Sequence, residues 1–185
     1  MEALDALLNR VSLGRLQEPA PDAAQRELLF RAALRAPDHG YLRPWRFLTI
    51  EGEARAKLGE LFVSALQAKD PQAPEAAIAK ARAMPLRAPL MVVVIATLQA
   101  GHKVPEVEQL LSAGCAAHGI LLAAHAQGLG AMWRTGEMAY DRTVAAGLGL
   151  GEQERIVGFL YLGSVEGDRR AAPELAPADF VKAWG

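Results

Sequence analysis

The chain has 185 residues, 51% hydrophobic and 22% charged, with a formal net charge of −1. That length suits a single domain, residues 1–185, with a core of its own. The apolar share excludes a disordered chain, and the charge balance gives no basic excess to neutralise nucleic-acid phosphates. The single cysteine, Cys115, excludes an internal disulfide. It fits a reducing compartment. The start MEALDALLNR carries Glu2 and Asp5 rather than the basic, apolar opening of a signal peptide. The expectation is a cytoplasmic protein.

In chain order, the first predicted element is a short helix over Glu2–Arg10, with Leu4, Leu7 and Leu8 on one face. A loop follows and ends at Pro19–Pro21. Asp22 is placed to cap a second helix, Ala23–Arg35, whose stripe is Leu28, Leu29, Ala32 and Ala33. Pro37 stops it, because proline disfavours a helical residue before it. After a polar loop, Trp45–Ile50 reads as a strand, Glu53–Ala68 and Pro74–Ala83 as helices, and the β-branched run Leu90–Thr97 as a fully buried strand.

The long apolar stretch Leu110–Met132 is broken by Ser112, His118, His125 and Gln127, so it reads as part of a buried helix, Pro105–Gln127, rather than a membrane span. Gly128 suits its C-cap. Ala131–Arg134 is a short strand, Ala139–Ala146 a short helix and Arg155–Leu162 another buried strand. A tail with two prolines, Pro173 and Pro177, closes the chain and is placed to wrap over a partner. The order is a mixed α/β pattern around a sheet of about four strands. The long helix is apolar and rich in small residues nearly all round. A helix of that kind must be covered on every face, which a homodimer does more easily than a lone chain.

Gly147, Gly149 and Gly151 invite a dinucleotide-binding reading, but here a helix precedes and a strand follows, the reverse of what that fingerprint needs. They read as turns. Cys115 and His118 lie among alanines and glycines, so a small buried cysteine and packed or capping histidines are expected rather than a nucleophile–base pair. No ligand cluster points to a metal. What remains is a set of arginines at element ends: Arg10 beside Ser12, Arg35 with His39 beyond it, and Arg134 beside Trp133 and Thr135. Binding groups collect in such places, and arginine matches phosphate and carbonyl oxygens. The residues alone thus reach a binder of an anionic, planar cofactor.

The same residues carry a resemblance. The segment Asn9–Ser12, RAPDH at 35–39, Arg43–Trp45, Arg87–Pro89, His102–Pro105, Ser112–Cys115, Trp133–Thr135 and IVGFLYLG at 156–163 appear together and in order. In this the chain resembles the nitroreductase family, and in particular its small YdjA-type NAD(P)H nitroreductases. The resemblance implies an α+β fold, nitroreductase-like, with a central, largely antiparallel sheet of about four to five strands flanked by helices. It implies a homodimer with two FMN sites at the subunit interface. It places Arg10 and Ser12 at the FMN phosphate, with Val11 contributing through its backbone. Arg35 and His39 would face the flavin or its neighbour across the interface, and Trp133, Arg134 and Thr135 would line the isoalloxazine. FMN then carries the chemistry, and no protein nucleophile is needed. NAD(P)H is the implied electron donor and a nitroaromatic, quinone or related acceptor the oxidant, by a ping-pong mechanism. Val11 and Gly14 stand where family members often carry basic residues, which leaves Arg35 and Arg134 as candidates for the positive charge at N1 and O2. Lys182, Arg169 and Arg170 are the candidates for C-terminal phosphate contacts. Two other readings stay open: a flavin-binding or sensing module without useful turnover, and a cofactor-free dimeric interaction protein built on the apolar helix.

Overall fold

The computed structural model describes all 185 residues. Leu90–Val94 and Leu160–Leu162 are β-branched or bulky and almost wholly buried, and they lie in the two central strands of one antiparallel sheet. Its strands are β1 (Leu16–Gln17), β2 (Trp45–Glu51), β3 (Leu90–Thr97), β4 (Gly130–Arg134) and β5 (Glu154–Val165). β3 lies between β2 and β5. β5 also pairs with β4 and, at its far end, with β1. Leu90 faces Leu162 and Val93 faces Phe159, with a register shift after Val94.

Because side chains alternate across a strand, β3 and β5 feed two cores. Leu90, Val92, Val94, Leu160 and Leu162 meet Ala113, Ala116, Ala117 and Ile120 of α5 (Glu106–Ala126) on one face. Met91, Val93, Ile95, Phe159 and Tyr161 meet Leu58 and Phe62 of α3 (Glu53–Lys69) on the other. Helix α4 (Glu75–Ala83) docks on α3 so closely that a Cβ at Gly59 would lie 2.4 Å from the Arg82 carbonyl oxygen. Helices α1 (Ala3–Asn9) and α2 (Ala23–Ala33) border α5. α2 runs antiparallel to α5: Gly119 lies against the Ala32 carbonyl, and the Gln127 side chain donates to the Gln25 carbonyl.

Most expected elements form within a residue or two. Asp22 caps α2 in a reciprocal box with Gln25. Gly128 and Gly149 take positive φ in turns after helices. Three expectations are corrected. The loop before Pro19 contains β1, a strand too short to leave a periodicity. The helix expected over Ala139–Ala146 is a 3₁₀ turn, Glu137–Ala139, followed by α6 (Arg142–Gly147). The break comes at Asp141, whose carboxylate accepts from the Thr143 and Val144 amides. Cys115 and His118 are exposed rather than packed. The sheet and α2 bury two sides of the long helix, while Val107, Leu111, Cys115 and His118 form a stripe left open by the single chain. Its small residues hide which side the sheet takes. By length and hydropathy α5 is able to cross a membrane, but it packs against β3, β4, β5 and α2.

Candidate functional site

After α1 the chain turns at Arg10 and runs along β4, where the Leu13 amide donates to the Ala131 carbonyl at 2.9 Å. Val11 is buried and anchors the turn, and Arg10 and Ser12 are half-buried beside it. Ser12, Leu13, Gly14 and Arg15 form one wall of a cleft of about 380 Å³. Met132 and residues 165–168 and 170 form the rest.

Arg134 reaches this region from β4. Its guanidinium sits 5.7 Å from the centre of the Tyr161 ring and would be 3.4 Å from a Cβ at Gly14. The bare glycine leaves that space to the arginine. Burial pushes the Tyr161 phenol above its usual range, and the Arg134 and Arg87 cations oppose the shift. Neither Arg10 nor Arg134 has a carboxylate partner, whereas Arg26, Arg43, Arg46 and Arg82 are each paired with one. Unpaired, partly buried guanidinium groups beside a serine hydroxyl suit an anionic ligand.

Trp133 and Arg134 do not share a face. The Trp133 indole points to the α5 side, donates to the Val157 carbonyl at 3.3 Å and lies 3.8 Å from a Cβ position at Gly114. Alternation along β4 sends Arg134 to the other side. Thr135 follows the strand and is exposed.

Arg35 and His39 are elsewhere. Arg35 is exposed beyond α2, and His39 pairs with Glu108 at the N-terminal end of α5, Nδ1 to Oε2 at 2.5 Å. Arg10 lies near the opposite end of that helix, where its charge acts on His125. At about 1.5 Å per residue, about 25 Å of helix separates Glu108 from His125. His39 and Arg10 therefore lie at opposite ends of α5, while Arg35 follows the end of α2, whose Ala32 carbonyl faces Gly119.

The sequence singled out neither Tyr161 nor His125 for the site. Tyr161 stands in a strand that reads as pure core. His125 is 8% exposed in the last turn of α5, and its Nδ1 lies 3.4 Å from Arg169 Nη1. The Arg169 side chain also donates to the Gly128 carbonyl. Burial, then Arg169, then Arg10 hold the His125 pKa below the usual imidazole value.

An antiparallel sheet with α5 across one face, and a cleft where the Arg10–Arg15 segment meets β4, lined by Arg15 and Arg170 with Glu166 and Asp168, define the class. Residues 9–164 match the profile of the Nitroreductase family, and the chain belongs to that family. A relative from Escherichia coli K12, named "Putative NAD(P)H nitroreductase YdjA", is 45% identical over 89% of this chain and 88% of its own. A Haemophilus influenzae protein, "Putative NAD(P)H nitroreductase", is 38% identical over 98% of each. The fold is shared with a nitroreductase-like family protein from Bacillus cereus, with a TM-score of 0.83 at 22% identity over 100% of this chain and 96% of that one. It is also shared with a nitroreductase with bound FMN from Bacteroides fragilis, with a TM-score of 0.74 at 17% identity over 100% of both chains.

Proposed function

We propose that this single-domain protein is an FMN-dependent NAD(P)H oxidoreductase acting as a homodimer. The observation that carries the reading is the run of the Arg10–Arg15 segment along β4, which brings Ser12 into the cleft, with Arg10 two residues before it and Arg134 beside Gly14, neither arginine paired with a carboxylate. Arg10 and Ser12 hold the phosphate end, with the Val11 backbone between them and Arg169 and Arg170 approaching from the tail. Arg134, backed by Tyr161, supplies positive charge beside Gly14, where electron-rich oxygen and nitrogen of the reduced ring need it. Trp133 fixes the β4 backbone through its bond to Val157, so that the backbone of Trp133–Thr135 borders the ring. When bound, FMN supplies the hydride and electron transfer, and the protein binds, orients and tunes it.

The separation of Arg35 and His39 from Arg10 supports a dimer. A second copy brings its Arg35–His39 loop to the cleft that its own chain cannot reach. The open stripe of α5, the exposed Leu4, Leu7 and Leu8 of α1, and the exposed Phe180, Val181 and Trp184 of the tail are apolar surfaces for that copy to cover. NAD(P)H is the donor, and a nitroaromatic, quinone or related acceptor follows it into the same cleft in a ping-pong sequence.

The test is the visible spectrum of protein soaked with FMN and desalted, followed by NADH and NADPH added separately without oxygen. A stoichiometric flavin band that bleaches supports the reading, and the faster nicotinamide names the donor. A band that persists unbleached makes the chain a flavin binder only. Loss of the band on desalting removes the cofactor from the reading.

A further inference from the structure

Among all buried side-chain nitrogens and oxygens, one has no hydrogen-bond partner: Nε2 of His125. The ring is fixed from its other side. An arginine can only donate, so the contact from Arg169 makes Nδ1 the acceptor, and the proton of the neutral ring sits on the orphaned Nε2. The charges that bear on the ring are Arg169 from the tail and Arg10 from the end of α1, and both are positive. Burying a donor without an acceptor in a ring on which two cations act is costly, and a bound anion would offset that cost.

We propose that His125 is a positioning residue of the anion subsite formed by Arg10 and Arg169, and that it takes up a proton when an organic phosphate binds there. The proposal rests on the reading of the protein as an FMN binder; Arg169 follows Asp168 and precedes Arg170, both of which line the cleft beside Ser12. With the subsite empty, neutral His125 accepts from Arg169 and helps hold that guanidinium on the Gly128 carbonyl at the end of α5. A phosphate draws Arg10 and Arg169 toward itself and offsets their charge at the ring. Imidazolium then becomes the favoured form, and Arg169 no longer donates to Nδ1. Proton uptake on binding means tighter binding as pH falls through the His125 titration. Each unit by which binding raises that pKa corresponds to about a tenfold gain in affinity below both values. The phosphate's own second ionisation, near pH 6, is common to every variant and drops out of the comparison.

The experiment is a fluorescence titration of the full-length protein with FMN and with riboflavin between pH 7.5 and 5, for wild type and His125→Gln. The expected result is a wild-type FMN affinity that gains at least about threefold over the variant's across this range, with parallel curves for riboflavin, which lacks the phosphate. In the wild type alone, the His125 ring signal in proton–carbon NMR should titrate at higher pH with FMN bound than with riboflavin bound. This readout holds even if the variant folds poorly. Equal FMN slopes in a folded variant, or a His125 titration that FMN leaves unmoved, overturns the proposal while leaving FMN binding intact. Failure to bind FMN at any pH overturns both.

Discussion

Gly158 carries the sharpest steric prediction. It lies in β5 beneath the Trp133 indole, and a Cβ built there would stand 2.0 Å from Nε1 and 2.6 Å from Cδ1 of that ring. The Arg134 carbonyl closes a further side at 3.1 Å. Gly158→Ala must therefore push the indole off its seat on α5 and break its bond to the Val157 carbonyl. Overpacking costs about 1–3 kcal/mol, and the lost hydrogen bond adds about 1 kcal/mol. At about 2–4 °C per kcal/mol for a chain of this size, a melting temperature lower by about 5–15 °C is expected. Thermal unfolding followed by circular dichroism measures it. In a Trp133→Leu background the same change should cost far less, because contacting residues do not add. A melting temperature within about 1 °C of wild type, or an undiminished penalty in the Trp133→Leu background, would refute the reasoning.

Arg10→Ala should weaken FMN binding by about 1.5–3 kcal/mol, the range for a hydrogen bond to a charged group; fluorescence titration reads it, and an unchanged dissociation constant takes Arg10 out of the site. Leu111, 64% exposed on the open stripe of α5, should on change to Arg shift sedimentation from dimer toward monomer and slow FMN-dependent turnover in proportion. Glu154 is held below the usual carboxylate range, first by the hydrogen bond from Arg46, with the Gly151 amide adding to it. A lowered folded-state pKa gives stability that is present above the unfolded value, about 4.3, and is lost as pH falls through the folded one. Denaturant unfolding should thus show Glu154→Gln less stable than wild type by about 1 kcal/mol at pH 7, with the gap closing in acid. A gap that stays constant down to pH 3 would contradict the ion-pair account.

The elements with a strong period were readable from the chain. LMVVVIAT admits only a strand buried on both faces, and it forms as expected at Leu90–Thr97. Asp22 with Gln25 marks the start of α2 through chemistry local to four residues. Where every face of a helix looks alike, the sequence loses direction. The alanines and glycines of α5 fit against the sheet equally well at several rotations, which is why Cys115 reads as a core residue and lies outside. The site shows the same division. Arg10, Ser12 and Arg134 stand at element ends and are visible as isolated polar groups among apolar ones. The contact of Arg134 with Tyr161, and its occupation of the space above Gly14, depend on which strands neighbour β5, a long-range pairing that no local pattern encodes. His125 looks like one more polar break in an apolar run. Its significance lies in Arg169, which the tail returns to it from 44 residues further along the chain.

The place of β5 also bears on how the protein is made. This strand pairs with β1, β3 and β4, yet it is the last of the five to leave the ribosome. Until residues 154–165 emerge, β3 has an unpaired edge along one of the most aggregation-prone sequences in the chain, and β4 has no neighbour in the sheet. The polypeptide must wait for β5 before either core can close. Its folding is dominated by contacts between distant parts of the chain and is correspondingly slow. A chain ending near residue 150 would retain all six helices and still be unable to fold, leaving it as work for chaperones and proteases.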